Sequence, residues 1–175
     1  MIMYTSINDF NIPIYNNTLV ICDIDETIMK FKGVTQKWWD DKYDSYNNLD
    51  NKNKICMKIW LNKISKMKPV HTHKESFLNM IQRIKNTNSK LIFLTARPPS
   101  LKPLTIAQFD FLNIEYVENQ VHYNFNGDKG KYVLNFINYK LFDNVIFIDD
   151  RYHNLENMKN ALNEKVTCYQ FNCFE

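Results

Sequence analysis

Asp23 and Asp25 stand two residues apart at the end of the apolar run "LVICDI", and Glu26 and Thr27 follow directly. In extended backbone, residues i and i+2 point to the same side, so both carboxylates can face one space. Burying carboxylates is costly unless something pairs with them. "LVICDIDETI" is therefore either an acidic turn or the wall of a cation site. Two other apolar runs also end in polar groups. "KLIFLT" leads into Thr95-Ala96-Arg97, and "NVIFI" into Asp149-Asp150-Arg151. Between them, "DKGK" places Lys129 and Lys131 at the start of a helical pattern, whose N–H groups can face an anion.

These residues need a scaffold, and the hydrophobic periodicity supplies one. Strand patterns fall at 19–24, 90–95, 144–149 and 165–171, with one or two short extended pieces within 115–125. Helical patterns fall at 35–47, 52–67, 73–86, 103–112, after Gly127 and Gly130, and at 151–163. Apolar strands alternating with amphipathic helices predict an α/β protein with a parallel sheet covered on both faces. Ligands in such sheets sit at the carboxyl ends of the strands, which is where the acids, Thr95 and Arg97 stand. The two early helices, joined by the turn residues "NNLDN", read as a hairpin. Trp39, Tyr43 and Tyr46 share one face of the first helix, and Ile55, Ile59 or Trp60, Ile64 and Met67 share one of the second. They are expected to form the hairpin's own core rather than a stacking platform for bases.

The chain has 175 residues, 45% of them hydrophobic and 14% aromatic, which suits one domain or one domain with an insert. With 3 glycines and no GxxxxGK[ST] or GxGxxG, it is neither a P-loop protein nor a dinucleotide binder of the usual kind. Cys22, Cys56, Cys168 and Cys173 form no CxxC, as expected for reduced thiols in a cytosol-like compartment. With no basic-then-apolar leader and no apolar run of roughly 18 residues, a cytoplasmic location is expected. Net charge is +3, but Lys30 to Lys68 holds ten lysines and four aspartates, while the remainder has twelve basic and fifteen acidic residues. A basic segment beside an acidic body suggests an anionic substrate meeting a metal-binding core; a lysine-rich solvated face is the plain alternative.

The motifs "DIDET", "LTAR", "DKGK" and "IDDRYHN", in this order, resemble those of the haloacid dehalogenase (HAD) superfamily of phosphatases and phosphotransferases. The resemblance covers roughly 17–29 and 70–170, and "DIDET" with Trp-containing helices looks closest to an uncharacterised phosphatase-like group. It implies a Rossmann-like core over 1–30 and 69–175, with a small helical cap at 31–68. It also implies an Mg²⁺-dependent phosphomonoesterase with an aspartyl-phosphate intermediate. By resemblance Asp23 is the nucleophile and Asp25 the general acid and base, while Thr95 bonds the phosphoryl group and Lys129 binds it, with Lys131 second. Mg²⁺ would be held by Asp23, the Asp25 carbonyl and Asp150, with Asp149 nearby and Asn154 behind. Thr27 shapes the turn. Glu26 stands where many relatives carry Gly and has no assigned role. Arg97 and Arg151 either pair with the acids or touch substrate. The expected partner is a phosphorylated small molecule. A phosphoserine protein, a nucleic-acid 3′-phosphate and a catalytically silent binding protein are the alternatives. His71, His73 and Glu75 invite a zinc reading, but no further Cys or His completes it.

Overall fold

Alternate residues of the inner strands serve two separate cores. In β2 (Thr18–Cys22), Leu19 and Ile21 enter one cluster, and Val20 and Cys22 the other. The same alternation holds in β5 (Lys90–Thr95) and β7 (Asn144–Asp149), each buried from its second residue onward. A strand buried on both faces cannot alternate apolar with polar residues, so these strands read as continuous apolar runs.

The computed structural model describes residues 4–47, 50–125 and 127–173. With β1 (Thr5–Ile7), β6 (Val121–Tyr123) and β8 (Val166–Phe171), these strands form a six-stranded sheet in the order β1-β8-β7-β2-β5-β6. Every pairing is parallel. One face is covered by α3 (Lys74–Asn86) through Phe77, Met80 and Ile84, and by α4 (Lys102–Phe111) through Phe109. The other is covered by α5 (Lys129–Phe136) through Val133, and by α6 (Tyr152–Leu162) through Leu155, Met158 and Leu162. The i, i+3, i+7 spacing on α3 and α6 is the helical stripe expected of a core-facing helix. The α/β architecture expected from the sequence is the one observed.

Between β2 and α3 the chain leaves the sheet. Strands β3 (Met29–Lys30) and β4 (Val70–His71) pair antiparallel and bring the two ends of the intervening segment together. That segment carries α1 (Gln36–Asp44) and α2 (Lys52–Ile64), which pack on each other. Thr35 caps α1 by accepting a hydrogen bond from Trp38 N at 3.2 Å. Of the expected turn "NNLDN", Asn48 and Leu49 lie outside the described residues. Sequence periodicity assigned nothing to β1, a three-residue edge strand with two exposed residues. Its register is set by β8 and by Phe10 just beyond it, whose ring stacks on Phe171 at 4.7 Å. The two histidines serve local structure: His73 caps α3, and His71 Nε2 lies 2.9 Å from the Leu112 carbonyl oxygen. Among the described residues, no helix is long and apolar enough to cross a membrane.

One glycine sets the spacing of α5 against α6. A Cβ on Gly130 would lie 2.2 Å from the Asn157 carbonyl oxygen, a backbone atom that cannot rotate away. Gly130→Ala is therefore expected to cost about 1–3 kcal/mol. Thermal unfolding should show this as a Tm lowered by roughly 3–10 °C. An unchanged Tm would mean that the two helices separate freely.

Candidate active site

The three strand ends meet because β2 lies between β5 and β7. Asp23 follows β2 and still donates its N–H to the Ile148 carbonyl at 2.9 Å, so it leaves the sheet beside β7. The chain then turns tightly. Ile28 N and Met29 N donate to the Ile24 carbonyl at 3.0 and 3.1 Å, and Glu26 N donates to Met29 O at 2.8 Å. Glu26 has φ 61°, the left-handed region that glycine occupies without steric cost. The position therefore suits Gly, yet it carries a glutamate, which is among the residues lining the cavity.

Asp23, Asp149 and Asp150 form one cluster, each offering a carboxylate oxygen within 4.8 Å of the others. Lys129, the first residue of α5, reaches between two of them. Its Nζ donates to Asp23 Oδ1 at 2.5 Å and to Asp149 Oδ2 at 2.6 Å. Lys129 is 1% exposed and Asp149 is 0% exposed, so this pairing is out of bulk water. Lys131, the other sequence candidate, points outward, and its backbone N–H is capped by Asp128 at 3.0 Å. Asp149 is further held by the Arg151 N–H at 2.9 Å and by Asn154 Nδ2 at 3.0 and 3.1 Å. Thr27 Oγ1 donates to Asp23 Oδ2 at 3.4 Å, which gives that threonine a contact beyond shaping the turn.

Burial pushes the Asp23 carboxyl up to about 7; Asp149 and Asp25 add to this, against the pull of Lys129. Asp150 is raised well above the carboxylate range, first by burial and then by Asp149 and Asp23. Lys129 is raised, because its two carboxylates outweigh the burial that opposes its charge.

Asp25 belongs to a second system. Its carboxylate accepts from Arg97 Nε at 2.8 Å and from Nη2 at 2.7 Å, a two-pronged pair. Arg97, 1% exposed, is fixed from behind by Thr105 Oγ1 at 3.0 Å and Gln108 Oε1 at 2.7 Å. Arg97 thus pairs with an acid, and it also lines the cavity. Thr95 Oγ1 accepts from Arg97 N at 3.1 Å, leaving the hydroxyl proton for another acceptor.

These groups floor a cavity of about 450 Å³ whose walls come from α1 and α2 and from Phe31 and Val34 before them. Here the structure departs from the expected hairpin core. Among the described residues α1 has no buried member. Trp38 is its residue that packs on the main core, while Trp39 lines the cavity, and Trp60 does both. Helical spacing marks a face without saying what the face meets.

A family model described as "Protein of unknown function (DUF2608)" matches residues 4–130 and 121–174. The chain belongs to the DUF2608 family. No curated protein matches this DUF2608 chain in sequence. Among solved structures it is similar to the HAD domain of the effector protein Lem4 from Legionella pneumophila. That match has 15% identity and a TM-score of 0.52, covering 92% of this chain and 89% of the other. Effector Ceg4 of the same organism matches at 12% identity and TM-score 0.51, covering 94% and 92%. The class C acid phosphatase of Bacillus anthracis matches at 11% identity and TM-score 0.51, covering 91% and 68%. The DUF2608 chain therefore has a HAD-like fold.

The residues that sequence reasoning passed over are wall residues, Gln36, Asn53 and Met57 among them; it offered an acid as a partner for Arg97 without naming Asp25. The pair had a faint signal, since an arginine two residues past a strand end must find a partner if it turns inward. Replacing Lys129 with methionine strands two buried carboxylates. Lys129→Met is expected to lower the unfolding free energy by on the order of 3–5 kcal/mol in urea titrations without divalent cations. A loss below about 1 kcal/mol would show that the pair is screened like a surface one.

Proposed function

We propose that this DUF2608 protein is an Mg²⁺-dependent phosphomonoester hydrolase. The observation that carries the reading is a charge imbalance. Asp23 and Asp149 pair with the buried Lys129 and Asp25 with the buried Arg97, while Asp150 joins the same cluster without an ion pair among the described residues. The surplus suits a divalent ion, and the donors are all oxygens, as a hard cation prefers. Asp150 fits direct ligation, since no described side chain bonds its carboxylate, while Asp149 is engaged by Lys129, Asn154 and Arg151 N. Asp23, Asp150 and the Asp25 carbonyl would hold the ion, with Asp149 behind them. When bound, Mg²⁺ would neutralise charge on the phosphoryl oxygens.

The remaining chemistry is assigned to the chain. An Asp23 oxygen attacks phosphorus, and the bond to the leaving oxygen breaks, giving an aspartyl phosphate. Lys129 and the Thr95 hydroxyl hold phosphoryl oxygens. Asp25 gives its proton to the leaving oxygen and takes one from the water that then splits the aspartyl phosphate. The Arg97 pair bears on this relay. Both Asp25 oxygens accept from the guanidinium, which suits the base in the second half. Carrying the proton that it gives up in the first half weakens one of those two bonds, and releasing it restores both. Residues 31–68 serve as a cap over the core of 1–30 and 69–175, an assignment supported by the wall that α1 and α2 supply.

Hydrolysis of 4-nitrophenyl phosphate with Mg²⁺, abolished by EDTA and reduced on the order of 10³-fold or more by Asp23→Asn, tests the reading. Activity that survives Asp23→Asn rejects it. Asp25→Asn should cost about 10²–10⁴ on glycerol 2-phosphate, whose alkoxide needs a proton, and less on 4-nitrophenyl phosphate. A cation also has a pH signature. Without a cation Asp23 keeps its proton up to about pH 7, and Asp150 is raised as well, so the ion must displace more protons at low pH than at high pH. The rise in Tm caused by Mg²⁺ should therefore be larger at pH 8 than at pH 5.5. A pH-independent rise would place the ion elsewhere.

A further inference from the structure

Resting on the phosphatase reading above, we propose that the substrate is a nucleoside monophosphate whose base stacks on Trp39. The cavity has two chemically distinct ends. Its floor, with Lys129, Thr95 and the acids, suits a phosphate and a cation, and its walls are indole, thioether and amide. About 450 Å³ lies within the range of small-molecule pockets.

Trp39 and its neighbour Trp38 are placed differently. Trp38 packs on the core, with Lys63 Nζ 5.9 Å from its ring centre. Trp39 lines the cavity and stacks on no ring or cation among the described residues. Trp39 is half-buried and is not among the residues packed on the core, so its indole offers a flat face to a ligand. Trp60, opposite on α2, is held by the Arg97 guanidinium 5.8 Å from its ring centre. That guanidinium is itself bonded to Asp25, so this contact links the wall to the floor.

Two amides accompany the indoles. Gln36, one turn before Trp39, donates its Nε2 to Asp40 at 2.6 Å, and its buried Oε1 has no hydrogen-bond partner. Asn53 on α2 lines the same space. A nucleobase brings a π-face for the indole and an edge of donors and acceptors for the amides. A phenyl ring fills the space but leaves the amides unpaired, and a bare sugar phosphate leaves the indole face uncovered.

The test compares kcat/KM for AMP, GMP, UMP, ribose 5-phosphate and O-phosphotyrosine with Mg²⁺. The wild-type protein should prefer at least one nucleotide over ribose 5-phosphate by on the order of 10- to 100-fold. Trp39→Ala should shrink that ratio about tenfold and Trp39→Phe should retain most of it. Tyr43→Ala, on the same helix outside the cavity, should leave it unchanged. Ribose 5-phosphate or phosphotyrosine used as well as the nucleotides overturns the proposal, as does a ratio insensitive to Trp39→Ala. Calorimetric titration of Asp23→Asn with the same compounds separates this inference from its parent. AMP binding at least tenfold tighter than ribose 5-phosphate upholds the nucleotide site even if no ester, 4-nitrophenyl phosphate included, is hydrolysed. Equal affinities reject it even if hydrolysis is found.

Discussion

The ammonium of Lys129, buried between Asp23 and Asp149, is the contact on which the site depends. Without it, two adjacent strands of a parallel sheet would end in unpaired carboxylates that face each other out of water. Reaching that point requires several independent arrangements. β2 and β7 must be neighbours, α5 must begin at the level of their ends, and Gly130 must let α5 lie against the backbone of α6. The packing of two helices, settled by one missing methyl group, thus decides where a charge sits.

Arg97 performs the same service for Asp25, by a different design. Lys129 is a point charge shared by two acids, whereas Arg97 spends two N–H donors on one carboxylate and others on Thr105 and Gln108. The acids are thereby divided. Asp23 and Asp149 share a lysine, Asp25 is held by an arginine, and Asp150 faces the cavity. That inequality is the physical basis for giving them different tasks. Trp60 over Arg97 ties the division to the inserted helices, so the residues that shape the walls also brace the residue that holds Asp25.

The legible parts of the fold were those with one dominant local cause. β5 and β7 read correctly because a strand covered on both faces must be apolar throughout. α3 and α6 read correctly because a helix packed on a sheet must carry a stripe. β1 was missed because three residues, two of them exposed, carry no period; it is a strand only because β8 offers an edge. Of the hairpin aromatics expected in the hairpin's own core, Trp39 and Trp60 line the cavity instead, since periodicity cannot tell a core from a cavity wall.

By itself, the sequence determined which residue types arrive at the sheet's carboxyl edge: two acids after β2, a threonine and an arginine after β5, and two acids where β7 ends. Covalent order and strand pattern suffice for that. Only the tertiary structure decided how they combine. It turned Lys129 inward and Lys131 outward, although both open the same helix. It gave Arg97 to Asp25, seventy-two positions away. It also held Glu26, a residue lining the cavity, in a backbone conformation made for glycine. Pairing of buried charges depends on distance and exclusion of water, and neither is written in the spacing of residues along a chain.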